Sequence, residues 1–191
     1  MKTDRTLKEW HSTPQKIREC VADLKRDDLE VRGGAEGWSI AEYIHHLVEA
    51  NFIAAHVVLN ALGGQGATYD WSWITPDRDW MRRLGYDRAP IEPALALHES
   101  LAHHIASLLA LKPRGLRRSI AILDSPGGRP RTTTVAKILG DEVTHVSHHL
   151  EEIESIRRKL RVAKHLKGKR DLKGARHDES TDLQNAKLIS R

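Results

Sequence analysis

Four stretches of this chain place apolar residues three and four positions apart, and that period confines the fold to packed helices. Over about 4–27, Leu7, Trp10, Ile17, Val21 and Leu24 share one face. Pro14 either kinks this first helix or stands at its first position behind Ser12 or Thr13. The second helix has the sharpest start: Ser39 caps it, Glu42 completes a capping box, and Trp38 and Tyr43 are spaced for a hydrophobic staple. It runs from Ile40 to about Leu62, where Gly63 and Gly64 stop it. A third helix is predicted from Pro90 to about Leu111, with Leu97, Leu101, Ile105 and Leu108 as its buried stripe. The fourth starts after Thr133 or Thr134 and continues to about 160, with Ile138, His145, His149, Ile153, Ile156 and Leu160 on its inner face.

The connections differ in character. The run 32–37 (RGGAEG) is a loop. Residues 63–89 form a long connection rich in Trp, Asp and Arg, of the kind that makes a lid or side wall. Trp71, Trp73 and Trp80 within it either line a cleft or simply pack the loop. Residues 125–128 (Ser-Pro-Gly-Gly) make a turn, and the apolar IAIL before it is a short strand or a packed loop.

Charge divides the chain. Residues 157–191 hold 12 Lys and Arg against 4 Asp and Glu, while the remainder holds 19 against 22. The expected organisation is a helical domain over 1–160 and a basic, disordered tail over 161–191. Such a tail hints only weakly at nucleic acid, because a charge run is more often solvated than specific. One cysteine, Cys20, excludes an internal disulfide; on an apolar helix seam it reads as a buried, inert thiol. The N-terminal residues MKTDRTLKEW lack the apolar run of a signal peptide, and no stretch approaches about 18 consecutive apolar residues. A cytoplasmic location without a membrane partner is the expectation.

The chain holds 12 histidines, and His145 and His149 form its HxxxH pair. Imidazoles at i and i+4 on a helix project one above the other and can share one metal ion. The pair lies on the apolar stripe, where a buried imidazole needs a partner. His46 lies near the inner face of helix two, among Tyr43, Ala50 and Ile53, and a bundle can bring helices two and four together. Asp141, one turn before His145, and Glu49, three residues after His46, are candidates to orient an imidazole. His45 and His148 adjoin the proposed ligands and offer alternative registers; His149 continues the stripe better than His148. His98, His103 and His104 read as surface or packing residues.

Two motifs carry a family resemblance. GWSIAEYIHHLVEAN resembles the helix-two motif of the DinB-like (YfiT-type) superfamily, W-S-x-x-E-x-x-x-H-L, and TTTVAKILGDEVTHVSHHLEEI resembles its last-helix motif, T-V-x-x-x-L followed by H-x-x-x-H and a terminal Q-I or E-I. Matched position by position, His46, His145 and His149 become the metal ligands, and Glu152 stands where Gln is usual. The resemblance implies an all-α, up-down-down-up four-helix bundle that forms a homodimer.

Three imidazole ligands leave coordination positions open, which favours catalysis on a small-molecule substrate over a closed structural site. Imidazole does not select one metal; zinc is the first expectation, nickel or iron the alternatives. The resemblance further implies an enzyme using a low-molecular-weight thiol, an S-transferase in detoxification or stress response, with a metal-dependent hydrolase as the rival. A non-catalytic stress or interaction module whose basic tail binds nucleic acid is the alternative of another class. No catalytic residue is identified by these motifs.

Overall fold

The computed structural model describes residues 2–35, 37–64, 66–74 and 76–188, with side chains described over 5–166. Glu36, Gln65 and Thr75, which fall in segments read above as loops, and residues 189–191 of the tail lie outside the described residues. The chain divides into two units, Met1–Glu154 and Ser155–Arg191.

The first unit is a four-helix bundle with a small sheet at its side. Its first arm is two helices, α1 (Lys2–His11) and α2 (Thr13–Val21). Pro14 stands in the first turn of α2, where its missing N–H breaks no helical hydrogen bond. Trp10 and Ile17 carry the arm into the core and are fully buried. A single turn, α3 (Arg26–Leu29), follows. Cys20 is half-buried rather than buried.

The second arm is α4 (Ile40–Gly63). Ser39 Oγ accepts from the Glu42 N–H at 3.2 Å, and Glu42 accepts from the Ser39 N–H at 2.6 Å. The same carboxylate, almost fully buried, takes two hydrogen bonds from Arg32, at 2.7 and 3.1 Å. The capping box is thus the inner half of an ion pair that ties the 32–37 loop to the helix start. Trp38 and Tyr43 meet edge to face with centroids 5.3 Å apart, the contact expected of a staple.

The long connection is not structureless. It contains strand β1 (Thr68–Asp70) and helix α5 (Arg78–Leu84). Asp77 caps α5 by accepting from the Trp80 N–H at 2.8 Å, and Gly85 ends it at φ 67°, a conformation glycine adopts without strain.

The third arm, α6 (Ile91–Ala110), buries Ile91, Leu95, His98, Ala102, Ile105 and Leu109, so of the predicted stripe Ile105 is buried and Leu101 and Leu108 are half-buried at its edge. Leu97 is 46% exposed. Two weakly apolar residues, His98 and Ala102, occupy the true stripe, so leucine content pointed to the neighbouring face.

A 3₁₀ turn (Gly115–Arg117) leads to β2 (Ser119–Leu123), which contains IAIL, and then to β3 (Arg131–Thr134). β1 pairs parallel with β2, Tyr69 opposite Ile122; β2 pairs antiparallel with β3, Ile120 opposite Thr133. Ile120 and Ile122 face the core with Val57, Val58, Ile105 and Leu139.

The last helix, α7 (Val135–Leu188), starts where predicted but does not end near 160. Its later part, in the second unit, continues as helix where composition predicted disorder. The reason is local: residues 161–188 contain no proline and many good helix formers, so a segment without enough apolar residues for a core can still satisfy its backbone as a helix. No helix among the described residues is long and apolar enough to cross a membrane.

Candidate metal centre

α4 and α7 bring three histidines together. His46 Nε2 lies 3.1 Å from His145 Nε2, and His149 Nε2 lies 2.9 Å from His145 Nε2. The three rings stand steeply to one another, with interplanar angles of 89°, 86° and 74°. Their nitrogens lie within 4.8 Å of one another, close enough to share one ion.

One carboxylate fixes the orientation of a ring, and a second stands beside another. His149 Nδ1 donates to Glu152 Oε2 at 2.6 Å, and His145 Nδ1 faces Glu142 Oε2 at 3.4 Å. With its Nδ1 proton held by Glu152, His149 presents a lone pair at Nε2, and Glu142 beside His145 Nδ1 favours the same tautomer there. Two acceptors 2.9 Å apart repel unless a cation lies between them. In a tetrahedral zinc site with Zn–N of about 2.05 Å, neighbouring nitrogens stand about 3.3 Å apart. The observed separations need widen by only a few tenths of an ångström to admit the ion, so this donor set fits a divalent metal.

The surroundings favour neutral imidazoles. Burial, and then the proximity of His145 and His149, lowers the His46 pKa to about 3. Burial also lowers His149, against an opposing pull from Glu152. Trp38 covers His46 with centroids 4.8 Å apart, and Tyr43 packs on His149 at 5.3 Å. Burial first, then Glu152 and Glu42, pushes the Tyr43 phenol up to about 12, so it stays protonated at neutral pH. His46 Nδ1 is buried with no hydrogen-bond partner among the described residues.

The orienting residues differ from those expected. Asp141 binds Lys137 Nζ at 2.6 and 2.9 Å on the surface. Glu49 accepts from Trp80 Nε1 and Tyr86 Oη instead of from an imidazole. Glu142 and Glu152 take their places, three residues before His145 and three after His149. That spacing was visible in the sequence, as was the Glu152 departure from Gln. His45 turns away from the cluster: it stacks on Tyr86 with centroids 4.4 Å apart, and its Nε2 lies 3.4 Å from the Ala89 carbonyl. His148 is exposed, and with His149 and Glu152 it forms a second, more open cluster. His98 is fully buried in the α6 stripe, while His103 and His104 are exposed.

Two cavities flank the centre. One of about 550 Å³ is lined by His46, Glu49, Ile53, Trp73, Trp80 and Tyr86, among others. The other, about 420 Å³, is lined by His145, Glu142, Trp71, Asp124 and Arg131. Ala50, Ile53, Ile74 and Pro76 line both and form the partition. All three long-connection tryptophans therefore face a cleft beside the histidines.

Known proteins resemble the chain in sequence and fold. The profile of the DinB superfamily matches residues 9–153. A protein of Oceanobacillus iheyensis named "Putative metal-dependent hydrolase OB0782" is 25% identical over 162 residues, spanning 81% of this chain and 87% of that one. A Geobacillus thermodenitrificans protein carrying the same hydrolase name is 28% identical over 162 residues, spanning 80% and 85%. Among solved structures, YfiT from Bacillus subtilis, a four-helix bundle of unusual topology, superposes with a TM-score of 0.69 at 20% identity, covering 83% of this chain and 87% of that one.

Proposed function

The chain belongs to the DinB superfamily, and from that premise we propose that it is a metal-dependent hydrolase whose ion is held by His46, His145 and His149. The observation that carries this reading is the convergence of three Nε2 atoms, 2.9 and 3.1 Å apart, beside two cavities. Two protein carboxylates orient the rings, and no fourth protein donor closes the cluster among the described residues. A bound divalent ion supplies Lewis acidity and makes water a usable nucleophile near neutral pH.

The chain's own residues supply the rest. Glu142 and Glu152 hold the imidazoles in the tautomer that leaves Nε2 free. Trp38 and Tyr43 wall the rings on the side of the helix start and limit solvent there. Glu142 Oε1 is buried without a partner among the described residues and belongs to the lobe lined by His145. A buried carboxylate oxygen needs a donor, and a water or substrate proton entering that cavity would meet it there. Glu142 is therefore the proton acceptor in this reading.

The hydrolase names of the relatives support hydrolysis; thiol transfer rests on family resemblance alone. The test is turnover of a panel of activated esters and amides by untagged protein, metal-stripped and zinc-reloaded, with and without added low-molecular-weight thiol. Hydrolysis is expected to return with zinc and to need no thiol. Metal-dependent turnover seen only with thiol present would establish the S-transferase instead, and equal rates with and without metal would remove the metal from the reaction.

A further inference from the structure

The larger cavity has a charge pattern of its own. Among the described residues that line it there is no lysine or arginine. Its one acidic side chain among those residues is Glu49.

That carboxylate is fixed by aromatic side chains. Trp80 Nε1 donates to both oxygens at 3.2 Å, and Tyr86 Oη donates to Oε1 at 2.9 Å. Hydrogen bonds to an ionised acceptor are the strong ones, so the group is preorganised. Its donors are neutral and leave its charge uncompensated. Tyr86 is in turn held by the stacked His45. Tyr69 and Trp73 complete an aromatic lining.

The rim of the same cavity is apolar and exposed. Phe52 is 55% exposed, Trp73 64% and Leu97 46%, and all three line this space. Large apolar side chains gathered in the open around one concavity mark a binding groove. A volume of about 550 Å³ suits a small organic molecule.

We propose that this cavity binds an organic cation, an ammonium group carried on an apolar body, with the ammonium at Glu49 and the aromatic rings around it. Aromatic π-faces attract a cation, and the carboxylate adds a direct charge contact. A carboxylate or phosphate ligand would meet the Glu49 charge with no cation to offset it. The smaller cavity does not offer the reverse chemistry, since its Arg131 guanidinium is already paired with Asp124. Because His46 lines the cation cavity, the substrate's reactive end would reach the metal centre from this side. In that respect the proposal rests on the hydrolase reading; the binding itself does not.

The experiment is calorimetric titration of the full-length, zinc-loaded protein with benzyltrimethylammonium, benzyl alcohol and benzoate, on wild type, Glu49→Gln and Glu49→Asp. Gln keeps an acceptor for Trp80 and Tyr86 without the charge, and Asp keeps the charge. The cation is expected to bind wild type about tenfold or more tighter than the alcohol, with benzoate weakest. Glu49→Gln is expected to erase that advantage and Glu49→Asp to retain most of it. Equal binding of cation and alcohol, no binding of the cation, or an advantage that survives Glu49→Gln would overturn the proposal. Elemental analysis of the same samples reads the metal centre separately. Metal without cation preference overturns this inference alone; cation preference without metal overturns the hydrolase reading alone.

Discussion

Replacing Glu152 by glutamine removes a charge from the metal centre and leaves an acceptor in place, so it isolates what the carboxylate does for His149. The His149 Nδ1 to Glu152 Oε2 distance is 2.6 Å, short for a charge-assisted hydrogen bond, whereas the His145 contact to Glu142 is 3.4 Å and correspondingly weak. Loss of an orienting partner lowers metal affinity by about 10- to 100-fold. Glu152→Gln, which keeps the geometry, belongs at about tenfold, roughly 1.4 kcal/mol; Glu152→Ala, which frees the ring, belongs toward a hundredfold, roughly 2.7 kcal/mol. The Glu152 side chain is 39% exposed, so water fills in for part of what is lost and neither value should exceed that range. The assay is zinc competition against a chromophoric chelator at neutral pH. Wild-type affinity in Glu152→Ala would refute the orienting role. Complete loss in Glu152→Gln, with zinc retained in His145→Ala, would move the ion to the cluster of His148, His149 and Glu152.

Other perturbations separate the remaining parts of the account. Glu142→Gln is expected to weaken zinc binding less than tenfold, given the long contact to His145, yet to lower turnover by about 10²- to 10⁴-fold as a lost proton acceptor; unchanged turnover would exclude it from that role. His45→Ala and His148→Ala should keep one zinc per chain, because neither ring belongs to the converging set; metal loss in either would shift the register of the ligands. Arg32→Met leaves the Glu42 carboxylate buried without its cation and is expected to lose about 2–3 kcal/mol in urea denaturation, below the range for fully buried pairs because the Arg32 side chain is 31% exposed. Burial lowers the His98 pKa from 6.5 to about 4. The unfolded chain therefore takes up that proton first as pH falls, so the stability tied to neutral His98 is whole above 6.5 and is lost toward 4, roughly 3 kcal/mol in all. His98→Leu should remove that part of the acid loss, and an unchanged difference between wild type and variant across the window would contradict it.

What the sequence disclosed follows from how local the determining physics is. The start of α4 was legible residue by residue, because a capping box and a staple are contacts within five positions. The pairing of His145 with His149 was legible for the same reason. His46 was reachable only by combining helical period with family resemblance, since its distance to His145 depends on how two helices pack. The orienting carboxylates were misassigned, one by a single residue and the other to the wrong helix. Asp141 lost to Glu142 because Lys137, four residues back on the same helix, already holds it. Glu49 lost because Trp80 and Tyr86, in and just after a helix hidden within the long connection, claim it. Strand β1 was invisible, since three residues carry no usable period and their pairing to Ala121, Ile122 and Leu123 is long-range. The α6 stripe was misplaced because His98 and Ala102 do not look like core residues until their neighbours are in place. The predicted end of α7 failed because low apolar content predicts the lack of a core, not the lack of a helix.

The most direct test is elemental analysis of untagged protein after native purification, run beside His46→Ala, His145→Ala and His149→Ala. About one divalent ion per chain is expected in wild type, with its loss from all three variants and each still helical by circular dichroism. Wild-type protein that neither retains nor takes up an ion, or a His46→Ala variant that keeps a full complement, would contradict it.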